Sequence, residues 1–246
     1  MSITRRSFVE KIAMAVSLPS ALFAEDAKGQ TINALFVRSG KFTEFNGDNV
    51  FFGVMLITDD QLAKLEGRLV DAASRLGFKR KLSFSHTKYG DVFFKEALEA
   101  SGAIEYKFIG LSLLLNKWTP DTTTFEQWRR EAELVVMKDL IQRKFRLSSL
   151  IHDVSIDSKI YERLQSDIPN WGSTDLLQSA SGASRSFQYA NTLTKCLAQT
   201  FRPPSARAQA PVKKTMIADT TAFYNIEGEV TNFENDRLSL NKFEVF

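Results

Sequence analysis

Apolar residues recur along the chain with two periods, which predict strands and helices in alternation. Residues 33–42 and 50–57 are short apolar runs typical of strands, and the turn residues of 46–48 between them predict a hairpin. The second run, VFFGVMLI, is apolar throughout, as expected for a strand that is buried on both faces. The pattern therefore predicts that this strand lies inside a sheet.

A helix is predicted directly after the second strand. Thr58 and Gln61 have the spacing of a capping box, and Gly77 is well placed to end the helix. Apolar residues at helical spacing lie between them: Leu62, Leu65, Leu69, Ala72 and Leu76. The sequence therefore predicts a helix that begins at residue 58 and ends near residue 76.

The rest of the chain continues this alternation. Apolar spacing predicts further strands at 104–116 and 148–157, and further helices at about 91–100, 123–144, 158–167 and 174–200. Long helices between strands imply right-handed crossovers and a mixed sheet that is covered on both faces. We therefore predict a single α/β domain over residues 31–200, with a mixed sheet flanked by helices.

The C-terminal residues differ from this domain in composition. Residues 201–214 are rich in Pro, Ala and basic residues, a composition typical of a linker. Residues 215–246 alternate only weakly and are predicted to form a C-terminal tail or hairpin.

Residues 1–24 have the order of an export signal. Arg5 and Arg6 precede a short apolar run that ends at Pro19, and polar residues follow from Glu25. The arginine pair followed by Phe8 resembles the twin-arginine signal, which implies a periplasmic protein. The alternative is an amphipathic N-terminal helix, because apolar residues recur every four positions, and the protein is then cytoplasmic.

Composition excludes several classes of function. With 32 basic and 29 acidic residues, the chain has a net charge of +3, which does not by itself indicate a nucleic-acid binder. Nucleic-acid binding would have to be inferred from local clusters of basic residues. One cysteine and two distant histidines provide no zinc-binding pattern. No apolar run reaches the ~20 residues of a membrane-spanning helix. The chain also has no phosphate-binding loop, no Gly-x-Ser-x-Gly and no His-Glu-x-x-His.

Three stretches carry a resemblance to a known family. They are LFVRSGKF (35–42), KLSFSHTK (81–88) and STDLLQSASGAS (173–184). Together they resemble domain-of-unknown-function family 3800, a bacterial family whose first strand ends in Asp-Glu-Ser-Gly and whose late helix carries Leu-Gln-x-Ala-Asp. Five residues match: Ser39, Gly40, Leu177, Gln178 and Ala180. The resemblance implies a ribonuclease-H-like α/β fold.

The acidic residues of that family are missing from this chain. Val37 and Arg38 stand where the family has Asp-Glu, and Ser181 stands where it has the late Asp. The middle motif, Glu-Ile-Lys-Trp-Ser, is replaced by Lys81 and Ser83. We therefore predict a catalytically degenerate protein with no catalytic residues, no metal and no cofactor. It is expected to act as a binding module for a protein or an anionic polymer.

Basic residues are the candidates for such binding. Arg38 carries a planar guanidinium that binds phosphate or carboxylate in bidentate fashion, although a salt bridge to Glu44 is an alternative. Lys79, Arg80 and Lys81 form a basic connector that suits phosphates or anionic lipid head groups. We expect a protein or nucleic-acid partner to bind through these four residues.

Two alternative functions remain open at this stage. Asp153 and Asp157 share one face of a predicted strand, and with Asp175 they would suit Mg²⁺ or Mn²⁺ in a metal-dependent nuclease or hydrolase. The same acids also suit a solvated strand face. The second alternative is a folded, exported periplasmic protein of unrelated function.

Overall fold

The structure is a computed structural model, and it describes residues 31–39, 49–84, 90–115, 134, 147–152, 162–163, 166, 175–178 and 184–245. Residues 1–24 lie outside these ranges, as do all but a few residues of the helices predicted at 123–144 and 158–167. The export signal and those two helices therefore stay predictions.

Seven strands form one mixed sheet in the described residues. They are β1 (Ile32–Ser39), β2 (Asn49–Thr58), β3 (Lys107–Leu115), β4 (Leu147–His152), β5 (Asp175–Gln178), β6 (Asn232–Glu234) and β7 (Leu238–Val245). Their order across the sheet is β5-β4-β1-β2-β3-β7-β6. The predicted hairpin of the first two strands is confirmed, because β1 and β2 pair in antiparallel fashion.

The order and direction of the first five strands define the fold. β2 pairs antiparallel with both β1 and β3, whereas β4 is parallel to β1 and β5 is parallel to β4. Only β2 therefore runs against the other four strands of this unit. A three-stranded meander extended on the β1 side by two parallel strands is the layout of the ribonuclease-H-like fold. The predicted α/β fold class is confirmed.

The described helices are α1 (Asp59–Arg75), α2 (Gly90–Ser101), α3 (Arg185–Thr200) and α4 (Pro211–Tyr224). The first helix begins and ends as predicted. The Thr58 side chain accepts a hydrogen bond from the Gln61 amide at 3.4 Å, and Gly77 follows the helix in the left-handed conformation with φ of 62°. In the described part of the chain, no helix combines the length and the apolar character needed to cross a membrane.

Alternation along the central strands divides the sheet into two buried faces. Leu35, Val37 and Met55 belong to one core that also contains residues of all four described helices, and we call this side the helix face. Phe36 and Phe52 point to the opposite side, the second face, where their rings stack with centroids 5.9 Å apart. Both faces are buried, so β1 and β2 lie in the interior of the domain.

Glycines on β2 and β3 allow side chains of α3 and of the neighbouring strand β7 to pack closely on the helix face. Gly53 and Gly110 are cross-strand partners on β2 and β3. A Cβ atom on Gly53 would clash with the side chain of Thr194 in α3, and one on Gly110 would lie 2.5 Å from Leu240. The glycine inside the apolar run of β2 therefore lies where a side chain of α3 packs directly on the sheet.

The C-terminal residues are more ordered than their composition suggests. Residues Pro204–Ala206 form a 3₁₀ turn, and α4 begins at Pro211, inside the segment predicted as a linker. Proline suits the first turn of a helix, so its presence does not distinguish a linker from a helix start. Strands β6 and β7 then form a hairpin whose second strand pairs with β3.

One sequence prediction was wrong in the late part of the chain. Residues 174–200 were predicted as one helix, but Asp175–Gln178 form the strand β5 beside β4, and α3 begins only at Arg185. Its residues, DLLQ, do not alternate between apolar and polar, so the stretch lacks the period of two that indicates a strand. Leu177 and Gln178, which match the family motif of a late helix, consequently lie on a strand.

Candidate anion-binding cleft

A tight turn after α1 places a basic segment beside the end of that helix. Gly77 donates a hydrogen bond to the Ser74 carbonyl at 3.1 Å, and Phe78 donates to the Ala73 carbonyl at 2.7 Å, which closes the helix end. The chain then continues through three consecutive exposed basic residues, Lys79, Arg80 and Lys81. We call residues 79–81 the basic segment.

Arg185, the first residue of α3, ties the basic segment to that helix. Its Nη1 donates to the Arg80 carbonyl at 2.7 Å and to the Gln188 side chain at 3.0 Å, and its Nη2 donates to the Phe78 carbonyl at 3.2 Å. The same Gln188 oxygen accepts a bond from the Leu82 amide at 2.9 Å. The position of the segment therefore depends on two side chains of α3.

The Arg185 guanidinium is fixed by its contacts, and some of its N–H donors are not used by them. Its central carbon lies 5.9 Å from the ring centre of Phe78 and 5.6 Å from that of Phe93, within the range of cation–π attraction. Three of the five N–H donors of the guanidinium make the hydrogen bonds described above. Within the described part of the chain, the donors on Nε and on the second Nη2 position are left over. A carboxylate or phosphate group can accept both.

A cleft of about 390 Å³ opens between α1, the turn after it and Arg185. Its lining consists of Val70, Ala73, Ser74, Gly77, Phe78, Lys79 and Arg185. Both charged side chains in this lining are basic, and the rest are apolar or small. We call this site the basic cleft. Its volume lies at the lower end of the range for small-ligand sites.

Glu66 of α1 fixes the start of α3 next to the basic cleft. Its carboxylate accepts hydrogen bonds from the amides of Arg185 at 2.8 Å and Ser186 at 2.7 Å, and from the hydroxyls of Ser184 at 2.9 Å and Ser186 at 2.6 Å. Burial alone would raise the pKa of Glu66, but these bonds outweigh burial and lower its pKa below the usual value. The ionised carboxylate therefore caps α3, where the helix dipole also favours an anion.

Arg38 does not lie with the basic segment. It is near the end of β1, opposite Phe52, and strand alternation places it on the second face of the sheet. The basic segment lies on the helix face, because the flanking residue Leu82 belongs to the core on that side. The four predicted anion-binding residues are therefore divided between two surfaces. Glu44, the proposed partner of Arg38, lies outside the described residues.

Val37, which stands where the resembling family has its first acid, is packed under α3. The residue is fully buried, its cross-strand partner is Gly53, and Thr194 of α3 lies directly over that glycine. Val37 is therefore an apolar side chain in the buried core of the helix face. A carboxylate at this position would be removed from water.

Of the three acids of the alternative site, the described residues include Asp175 alone. Asp175 begins β5 opposite Ser149, which is itself opposite Asn33 near the start of β1. Arg38 lies about 17 Å further along β1 at the usual rise per residue, so Asp175 and the strand rim are at opposite ends of the sheet. Asp153 and Asp157 lie outside the described residues. Among the described residues, no three His, Cys, Asp or Glu side chains are grouped closely enough to hold a metal ion.

Sequence reasoning missed Arg185, Glu66 and Gln188. Arg185 is 105 residues from Arg80 and 119 residues from Glu66, so no local pattern links them. The one local signal is Ser184, whose side chain accepts the Phe187 amide at 3.2 Å and thereby caps α3. A serine followed by a helical pattern would have placed the start of α3 correctly.

Comparisons with known proteins found no family and a weak likeness to a solved structure. No family model matches the chain. A search of curated proteins gave no match either. Among solved structures, the chain is similar to one described as the crystal structure of Bst-RNase HIII in complex with Mn²⁺, with 14% identity and a TM-score of 0.34. The match covers 83% of this chain and 75% of that one. A likeness of this extent says nothing about what the present chain binds.

Proposed function

We propose that this protein is a non-catalytic binding module for an anionic partner, which docks in the basic cleft. The observation that carries the proposal is the arrangement of Arg185 and the basic segment. Residues 78–82 and the start of α3, about a hundred residues apart in sequence, are joined by three hydrogen bonds, and Lys79 and Arg185 both line one cleft.

Preorganisation makes this arrangement suited to binding. The Arg185 side chain is already immobilised by its bonds to Arg80, Phe78 and Gln188, so little of its conformational entropy remains to be lost when a ligand arrives. Bonds between a guanidinium and an anionic oxygen are about twice as strong as neutral ones. The neighbouring lysines add a positive field that attracts an anion before contact.

The packing of Val37 supports the non-catalytic part of the proposal. A metal-dependent nuclease needs carboxylates that converge on a cation. In this chain, the position that holds an acid in the resembling family is instead a valine buried beneath α3. In this chain, the side chain at that position therefore contributes to packing between β1 and α3.

Reversing the charge of the basic segment tests the proposal. We expect the double variant Lys79→Glu/Lys81→Glu to bind labelled polyglutamate or a labelled single-stranded oligonucleotide at least about tenfold more weakly, because two attractive charges become repulsive. Both side chains are exposed, so the fold is expected to survive. Fluorescence anisotropy at several salt concentrations measures the effect, and added salt should weaken wild-type binding.

Two controls locate the site. Lys64→Glu/Lys214→Glu makes the same change in net charge on exposed parts of α1 and α4, and it should leave most of the affinity intact. Arg38→Ala should have little effect, because Arg38 lies on the second face. Equal losses in the Lys64/Lys214 variant, a large loss on Arg38→Ala, or no binding of either probe by the wild type would contradict the proposal.

The same oligonucleotide separates binding from turnover. We expect it to remain intact when incubated with the protein and Mg²⁺ or Mn²⁺. Metal-dependent cleavage that is abolished by Asp153→Ala would instead favour the nuclease built on Asp153, Asp157 and Asp175.

A further inference from the structure

Every partner of the Arg185 guanidinium in the described part of the chain is electrically neutral. Its hydrogen bonds go to the carbonyls of Arg80 and Phe78 and to the side-chain oxygen of Gln188. Its ring contacts are with Phe78 and Phe93. Among the described residues, the guanidinium forms no ion pair with a carboxylate. Arg185 is half-buried, so its charge has lost part of its water without gaining a counter-ion.

The carboxylate of Glu66 lies close to Arg185 in the fold, but it binds other groups. It accepts the backbone amide of Arg185 at 2.8 Å, and the amide and hydroxyl of Ser186 at 2.7 Å and 2.6 Å. The hydroxyl of Ser184 donates to it at 2.9 Å. All of these donors are backbone amides or hydroxyls at the start of α3. Glu66 therefore caps the helix and leaves the guanidinium of Arg185 to another anion.

Gln188 makes the contacts of a glutamate without its charge. The residue is buried near the start of α3, and its side-chain oxygen accepts the Leu82 amide at 2.9 Å and Arg185 Nη1 at 3.0 Å. A glutamate has the same shape and can accept both bonds. It would also gain an ion pair with Arg185, three residues earlier on the helix, and a favourable interaction with the helix dipole. A neutral residue where local interactions favour an acid indicates that the unpaired charge of Arg185 has a use.

We propose that Gln188 is a positioning residue that holds Arg185 in place without neutralising it, so that the bound partner supplies the counter-ion. This inference rests on the proposed function and identifies what sets the affinity of the basic cleft. One carboxylate or phosphate group accepts the two N–H donors of Arg185 that remain on Nε and Nη2. A charged side chain at position 188 would compete with that group for the guanidinium.

The variant Gln188→Glu tests the inference by adding a charge at constant shape. The introduced carboxylate keeps both hydrogen bonds and pairs with Arg185, so the variant is expected to fold, and a thermal melt checks this. We expect labelled polyglutamate and a labelled single-stranded oligonucleotide each to bind at least about tenfold more weakly. For the oligonucleotide, the slope of log affinity against log salt should become shallower by about 0.7, the value for one phosphate contact on a single strand.

Asn232→Asp is the matched control. It makes the same change from an amide to a carboxylate at an exposed position of β6, the strand at the far edge of the sheet. The net charge of the protein falls by the same amount, but Arg185 keeps its neutral partners. We expect this variant to bind both probes like the wild type.

A measurement on the wild-type protein decides the question even if Gln188→Glu does not fold. The Nε–H resonance of Arg185 in an NMR spectrum can be assigned by its loss in Arg185→Lys. We expect this resonance to shift when unlabelled polyglutamate or the unlabelled oligonucleotide is added, because the Nε donor gains an anionic acceptor.

The outcomes distinguish this inference from the function on which it rests. The inference is overturned if folded Gln188→Glu binds both probes like the wild type, if Asn232→Asp loses as much affinity, or if the Nε–H resonance does not shift when a probe binds. The proposed function stands in these cases provided that Lys79→Glu/Lys81→Glu weakens binding. If neither probe binds the wild type, both are overturned.

Discussion

Replacement of Val37 by aspartate is expected to lower the free energy of unfolding by at least about 3 kcal/mol, because it buries a carboxylate without a partner. Val37 is fully buried on the helix face, beside Gly53 and beneath Thr194 of α3. The substitution places an acid where the resembling family has the first residue of Asp-Glu-Ser-Gly, and it is expected to damage the fold instead of creating a metal site. The midpoint of urea unfolding measures the change.

Val37→Thr is the matched control for that substitution. Threonine has nearly the same shape as valine, so the variant tests polarity without charge and should cost less than the aspartate does. An aspartate variant as stable as the wild type would show that the position is open to water. Metal-dependent cleavage by that variant would show that the scaffold still seats a cation, and it would contradict the non-catalytic account.

Replacement of Glu66 by alanine is expected to lower the free energy of unfolding by about 3 kcal/mol, because two amides and two hydroxyls at the start of α3 lose one ionised acceptor. Ser184, Arg185 and Ser186 are the residues affected. The loss also frees the start of the helix that carries Arg185, so binding at the basic cleft should weaken. Unfolding by urea and anisotropy with the probes above measure the two effects.

The variant Glu66→Gln, measured at several pH values, separates the effect of the Glu66 charge on stability from the effect of its shape. The pKa of Glu66 is lower in the folded protein than in the unfolded chain, so its charge contributes stability above the unfolded pKa, and this contribution is lost as the pH falls through the folded pKa. The difference in stability between the wild type and the glutamine variant should therefore be largest near neutral pH and shrink in acid. A difference that stays constant from neutral to acid pH would show that the charge of Glu66 does not stabilise the cap.

The elements with clear periodicity could be predicted from the sequence. Strands β1 and β2 and helix α1 follow from apolar patterning, a capping residue at Thr58 and a terminal glycine at Gly77. Strand β5 and helix α4 could not be predicted in the same way. The first is only four residues long, and the second begins in a proline-rich stretch whose order depends on tertiary packing.

The candidate site was only partly accessible to sequence reasoning. The basic segment is visible as three consecutive basic residues, because local charge needs no fold to be recognised. Its separation from Arg38 depends on strand alternation and on which face the connector packs against, which only the assembled sheet shows. The contribution of Arg185 depends on contacts between residues about a hundred positions apart. Long-range contacts of this kind leave no periodic signal in a single sequence.

Hydrogen exchange of the wild-type protein with and without a bound anionic probe tests the central claim most directly. Docking in the basic cleft predicts slower exchange for the amides of residues 77–82 and for the first turn of α3, with little change on β1 near Arg38. Protection confined to the end of β1, with the turn after α1 exchanging as in the free protein, would contradict the account.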